Sequence, residues 1–166
     1  MIGRVYLVGM PGSGKSSVGR SLAKQWDARF VDLDAEIERT AGRSIAEIFR
    51  KEGEDGFREV EEAALRQAAN DADPCVIACG GGIVLRGSNR DVLRQTGTVV
   101  YLKTPLDRLK QRVKRGGLSR PLLRKPGDLD RLFAEREPLY LAVAHHVVET
   151  DGDPERDAER IRGMLS

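Results

Sequence analysis

The sequence has few of the residues that staple or metallate small domains. Among its 166 residues are two cysteines, Cys75 and Cys79, and two histidines, the adjacent His145 and His146. Cys75 and Cys79 share one strand-like run, which sets them about 13 Å apart at the extended rise, beyond the roughly 7 Å reach of a disulfide. Both are expected to be buried, reduced thiols. The histidines have no ligand partner at a recognisable zinc spacing, so a His/Cys metal site is not expected and packing roles are the default. One tryptophan, three tyrosines and four phenylalanines leave the interior to aliphatic side chains. No apolar run approaches the length of a membrane span, and the first strand-like segment begins at Arg4, which leaves no room for a signal peptide. A soluble cytoplasmic protein without membrane contact is the expectation. Charge of one sign is also missing: 28 basic against 26 acidic residues give a net +2. That balance excludes a nucleic-acid binder whose affinity rests on overall positive charge.

What is present is a core-sized apolar fraction of 40% and a length that fits one domain over residues 1–166. Short β-branched or apolar runs recur at Val5–Val8, Phe30–Leu33, Cys75–Cys79, Thr98–Leu102 and Val147–Glu149, separated by helical patterns. The first four are near-continuously apolar, as in strands covered on both faces. The expected fold is therefore α/β, a three-layer α/β/α arrangement around a five-stranded parallel sheet with right-handed crossovers. Helices are expected over Lys15–Trp26, after the capping box that starts at Ser44, from about Gly56 to Asn70, and over Asp128–Ala144, where Pro138 removes a backbone donor.

The strongest motif is Gly9-Met10-Pro11-Gly12-Ser13-Gly14-Lys15-Ser16, a complete G-x-x-x-x-G-K-[ST] phosphate loop between a strand and an amphipathic helix. Its glycines let backbone N–H groups turn inward around a phosphate, and the helix N-terminus adds partial positive charge. Gly12, Ser13, Gly14, Lys15, Ser16 and Ser17 are the expected nucleotide-binding residues. Lys15 would reach the β- and γ-phosphates, and the Ser16 hydroxyl would bind Mg2+. A dinucleotide fingerprint is imitated by Gly12, Gly14 and Asp34, but Ser17 stands where the third glycine belongs. No guanine-reading Asn-Lys-x-Asp segment occurs, which favours ATP.

Asp32-Leu33-Asp34 ends the second strand, at the sheet edge where ligands bind. Strand alternation would turn both carboxylates to one crevice, Asp32 toward a water-bridged Mg2+ and Asp34 toward an acceptor hydroxyl that it orients or deprotonates; the competing role is a helix cap. Gly80-Gly81-Gly82 follows the third strand and permits close ligand approach, or is an ordinary turn. Arg136 falls inside an apolar helical stripe, so its guanidinium points inward to an internal acid or to an anionic substrate. Arg58 has Glu61 and Glu62 one turn away, the spacing of a solvated ion pair. Residues 112–125 hold Arg112, Lys114, Arg115, Arg120, Arg124 and Lys125 without one acid. They read as a mobile basic lid that closes over ATP and delivers Arg120 to the transferring group.

Together these residues resemble the shikimate kinase family over about residues 3–155. The phosphate loop with Val18-Gly19-Arg20, Asp32-Leu33-Asp34 with Ile37-Glu38, Ile45 to Phe49, Gly53-Glu54, Phe57-Arg58, Glu61, the glycine triplet, Arg120-Pro121-Leu122-Leu123 and Arg136 with Pro138-Leu139-Tyr140 fall at family-like spacing. The resemblance implies a P-loop kinase fold and transfer of the ATP γ-phosphate to the 3-hydroxyl of shikimate, a step toward chorismate and the aromatic amino acids. It assigns Ser16 and Asp32 to Mg2+, Asp34 to the shikimate hydroxyls, and Arg58 and Arg136 to the shikimate carboxylate. Gly80, Gly81 and Gly82 would add backbone contacts, with a shikimate-binding region over about 33–61. Lys15, Asp34 and Arg120 are the implied catalytic residues. Adenine would meet Pro154 and one of Arg112, Lys114 and Arg115, with Arg112 placed among the ATP contacts. A monomer is expected. The competing readings are a P-loop kinase of another small acceptor, such as gluconate or a nucleoside monophosphate, and a non-catalytic ATP-binding switch.

Overall fold

The computed structural model describes residues 3–72, 74–116, 122, 123 and 125–166. Five parallel strands, β1 (Arg4–Val8), β2 (Arg29–Asp32), β3 (Cys75–Ala78), β4 (Thr98–Lys103) and β5 (His146–Glu149), form one sheet in the order β2-β3-β1-β4-β5. Each strand lies within one residue of its expectation, because each carries an unbroken apolar run or a β-branched pair; β1, β3 and β4 are covered on both faces, whereas the edge strands β2 and β5 are partly exposed, contrary to expectation for β2. Among the described residues seven α-helices accompany them: α1 (Lys15–Trp26), α2 (Leu33–Ala41), α3 (Ile45–Ala69), α4 (Gly87–Thr96), α5 (Leu106–Gly116), α6 (Asp128–Val143) and α7 (Pro154–Leu165). This is the three-layer α/β/α arrangement.

Side-chain alternation divides the core between the two faces of the sheet. Val5, Leu7, Val76, Val100, Leu102 and Val148 point to one face, where Val18 and Leu22 of α1 and Ala158 and Ile161 of α7 cover them. Tyr6, Val8, Ile77, Val99 and Tyr101 point to the other, under α2 to α6. A third cluster, Ile37, Ile48 and Phe57, joins α2 to α3 away from the sheet. The free thiols Cys75 and Cys79 are buried. His145 clips the sheet: its Nδ1 accepts from the Val99 N–H at 2.9 Å, and its own N–H donates to the Val99 carbonyl at 2.8 Å.

Two local expectations are corrected, and a third is refined. Residues 112–116 are not loop but the last turn of α5; glycines at 116 and 117 hid the helical period. Arg120, Arg124 and Pro121 lie outside the described residues. The two helices expected after Ser44 and from Gly56 are both present, as the halves of α3 that meet at a kink where Gly53 (φ 73°, ψ −178°) leaves helical geometry. Finally, β2 stops at Asp32, so Asp34 sits in the first turn of α2 rather than on the strand.

Register sets the site. Leu7 pairs with Ala78, and Asp32 pairs with Ala78 from the other side, so the carboxyl ends of β1, β2 and β3 finish level. From β1 the chain crosses to β2 on one side, whereas β3 sends it past β1 to β4 on the other. A crevice therefore opens at this edge.

Candidate active site

Residues 9–14 leave β1 and reverse into α1. Gly12 (φ 84°) and Gly14 (φ 89°) occupy the left-handed region, which the loop needs to turn its N–H groups inward. Gly14 is also the N-cap of α1, with no side-chain cap and no acid in the first turn. The contrast with α2, α3 and α7 is informative: Asp32, Ser44 and Asp153 cap those helices with side-chain oxygens. The first-turn donors of α1 are left to an anion. Lys15 Nζ donates to the carbonyls of Gly9 at 2.8 Å and Met10 at 2.9 Å, which centres its charge on the loop.

The acid at the end of β2 does two things at once. Asp32 Oδ1 accepts from the Ala35 N–H at 3.2 Å as the cap of α2, while Oδ2 accepts from the Ser16 hydroxyl at 2.8 Å. Cap and candidate metal residue are thus the same side chain. A hydroxyl and a carboxylate side by side are hard oxygen donors and fit Mg2+, which needs only one or two protein ligands when phosphates complete its shell. That also agrees with finding no three-residue His/Cys/Asp/Glu cluster among the described residues.

Around this loop lies a pocket of about 570 Å³ lined by Gly12, Gly14, Lys15, Ser16, Ser17, Asp32, Asp34, Gly80, Gly81, Arg112 and Pro154. Ser13 is buried beneath it, its carbonyl accepting from Thr104 at 3.5 Å. Arg112 Nη1 donates to the Gly12 carbonyl at 2.6 Å; burial and the neighbouring Arg108 pull its pKa below the usual arginine value. Of the three candidates for the adenine, Arg112 is thereby at the pocket wall, opposite Pro154.

A second pocket, about 320 Å³, adjoins the first and shares Asp34, Gly80 and Gly81 with it. Arg58, Glu61 and Phe57 come from the second half of α3, Ile45, Ala46 and Phe49 from the first half, and Arg136 from α6. Spacing alone read Arg58 as half of a solvated ion pair, whereas the family resemblance assigned it to the acceptor carboxylate. Arg58 is 6% exposed, with its Nη1 2.9 Å from Glu61, itself 1% exposed, and its Nη2 3.4 Å from Glu54. Periodicity misplaced it because the apolar stripe of α3 is continued by this buried ion pair. Burial pushes the Glu61 carboxyl up, and Arg58 opposes the rise. Glu62, the other expected partner, pairs with Arg66 and Arg86. Arg136 is 3% exposed, and its Nε is buried without a hydrogen-bond partner among the described residues.

The glycine triplet forms the floor. None of its members has a positive φ, so backbone conformation does not demand glycine here. Space does: a Cβ on Gly80 would fall 2.7 Å from Asp34 Oδ1, and one on Gly82 would fall 2.4 Å from Arg58 Nη2. Sequence reasoning saw the triplet as room for a ligand; it is equally room for the charged side chains that face the ligand. The aromatic walls Phe49 and Phe57, 4.8 Å between ring centroids, had no distinguishing signal in an amphipathic pattern. Arg120 lies outside the described residues.

Electrostatically, the first pocket is a cationic cradle with two carboxylates at its rim. The second offers two guanidiniums at one end and Asp34 at the boundary, which suits an anionic molecule whose hydroxyl must face the first pocket. Comparison with known proteins agrees. The family model described as shikimate kinase matches residues 11–166. A shikimate kinase of Chromohalobacter salexigens is 49% identical over 150 residues, 89% of this chain and 82% of that protein. One from Pseudomonas aeruginosa is 49% identical over 155 residues, covering 92% and 89%. Among solved structures, the shikimate kinase of Acinetobacter baumannii in complex with shikimate superposes with a TM-score of 0.94 at 41% identity, covering 99% of this chain and 93% of that one.

Proposed function

The chain belongs to the shikimate kinase family, an ATP-dependent phosphotransferase family with an alcohol acceptor, and we propose that its two adjoining pockets bring the γ-phosphate of ATP to the 3-hydroxyl of shikimate. The products are shikimate 3-phosphate and ADP. The observation that carries the reading is the shared wall: Asp34, Gly80 and Gly81 border both the phosphate-loop pocket and the pocket holding the buried arginines.

The acceptor carboxylate lies against Arg136 and Arg58, whose planar forks bind it bidentately. This places the ring over Gly80, Gly81 and Gly82 and its hydroxyl at Asp34. The carboxylate of Asp34 accepts that hydroxyl's hydrogen bond, fixes its direction and takes the proton as the O–P bond forms. The triphosphate lies over Gly12, Ser13 and Gly14, with its anionic end on the uncapped start of α1 and on Lys15. Ser17 adds a polar contact in the first turn of α1. Arg112 and Pro154 flank the base. Ser16 and Asp32 would hold Mg2+, which would supply neutralisation of the phosphate charge. Lys15, together with Arg120, stabilises the charge on the transferring group. Little covalent chemistry falls to the protein, so positioning and electrostatics supply the rate.

An assay of ADP release tests the reading: turnover is expected with shikimate and not with gluconate or nucleoside monophosphates. Absence of shikimate-dependent ADP release would overturn it. The same proposal holds that the protein works as a cytoplasmic monomer, checked by light scattering of the purified chain. No helix among the described residues is long and apolar enough to cross a membrane.

A further inference from the structure

Tyr140 follows Arg136 by one turn of α6 and is fully buried. It lines neither pocket. Its hydroxyl donates to the Gly81 carbonyl at 2.6 Å, and the same oxygen lies 3.8 Å from Met10 Sδ in the phosphate loop. Its ring stacks on Tyr101 of β4, with centroids 5.0 Å apart at 26°. Tyr101 in turn donates to the carboxylate of Glu137, the neighbour of Arg136. One phenol thus joins the glycine floor, the phosphate loop and the helix that carries Arg136.

We propose that Tyr140 is a positioning residue for acceptor binding, holding the Gly81–Gly82 peptide in one orientation and in register with Arg136. Three consecutive glycines give that segment more backbone freedom than any other sequence would, so a peptide flip there needs a restraint from outside. In a trans peptide the carbonyl of Gly81 and the N–H of Gly82 point in opposite directions. A carbonyl drawn toward Tyr140 therefore turns the N–H of Gly82, a residue that lines the acceptor pocket, away from the Tyr140 hydroxyl. The Arg136 guanidinium lies close on the same glycine: a Cβ at Gly81 would be 3.2 Å from Arg136 Nη1. Burial pushes the Tyr140 hydroxyl well above its ordinary pKa, opposed by Arg136, so it remains a donor at every pH at which the protein works.

This role rests on the function proposed above. Tyr140→Phe keeps the ring, its volume and its stack, and removes only the hydroxyl. The expected result is a shikimate KM raised about threefold to tenfold, the range for one lost hydrogen bond. The ATP KM should change less than twofold, and Tyr101→Phe, which leaves the Tyr140 hydroxyl in place, should leave the shikimate KM unchanged. An unchanged shikimate KM in Tyr140→Phe, or equal rises for both substrates, would remove the role and leave the kinase reading intact. A wild-type protein that fails to phosphorylate shikimate would remove both. A second reading needs no variant: the Gly82 amide should give a single NMR resonance in the acceptor-free protein, and two exchanging resonances would show that the hydroxyl does not hold the peptide.

Discussion

Arg58 and Arg136 stand in one pocket with different balances of charge. Arg58 already faces Glu61 and Glu54, so part of its positive charge is spent within α3. The Nε atoms of both arginines are buried without a hydrogen-bond partner among the described residues, an arrangement that costs free energy until an anion arrives. Because Arg58 is already partly engaged, Arg136 is the stronger carboxylate anchor. Arg136→Ala is expected to raise the shikimate KM on the order of tenfold to a hundredfold, the cost of charge-assisted hydrogen bonds. Its ATP KM should stay within about twofold of wild type, since Arg136 lines only the acceptor pocket. Steady-state kinetics with each substrate varied in turn measures the split, and a loss confined to ATP would refute the assignment.

Among the elements, α3 does the most to shape the acceptor pocket. Its two halves supply opposite walls, Ile45, Ala46 and Phe49 before Gly53, and Phe57, Arg58 and Glu61 after it. Gly53 adopts φ 73° and ψ −178°, a combination essentially restricted to glycine. Gly53→Ala is expected to cost about 1–3 kcal/mol, which lowers Tm by roughly 3–10 °C in a domain of this size. The shikimate KM should rise with it because the halves change their angle; thermal denaturation and kinetics on one preparation check both. A Tm equal to wild type would show that the kink needs no glycine. The same helix marks the limit of what sequence reveals. The Ser44 cap was legible because a cap is a local pattern of residue types, and the central strands β1, β3 and β4 were legible because burial on both faces leaves an unbroken run. The phosphate loop was complete as a motif. The two halves of α3 were legible as separate helices, but the left-handed Gly53 that joins them was not, since nothing in the periods on either side fixes one residue's backbone. Nor was the position of Asp34 on α2 legible, because strand alternation already accounted for Asp32 and Asp34 bordering one pocket. Buried ion pairs such as Arg58–Glu61 read as surface in any polarity pattern.

For the molecule as a whole, His145 makes the sheet a point at which pH acts on stability. Burial, with Arg94 and His146 nearby, holds the His145 pKa below the usual histidine value. The unfolded chain therefore binds a proton at higher pH than the folded chain. The His145 contribution is present above the ordinary histidine range and is lost as pH falls through it, because protonation removes the Nδ1 acceptor of the Val99 N–H. Tm should fall between pH 7 and pH 5, and part of that fall should vanish in His145→Gln, as followed by thermal melts at both pH values. An identical pH dependence in the variant would show that His145 takes no part.

Among the described residues, the lining common to the two pockets is one carboxylate, Asp34, and two glycines, Gly80 and Gly81. A single inhibitor that joins a nucleotide to a cyclic carboxylic acid through a phosphate bridge would cross that common lining without displacing protein. Its acid half would meet Arg136 at the effective concentration set by the bridge, so the two weak halves would combine into one tight bisubstrate ligand.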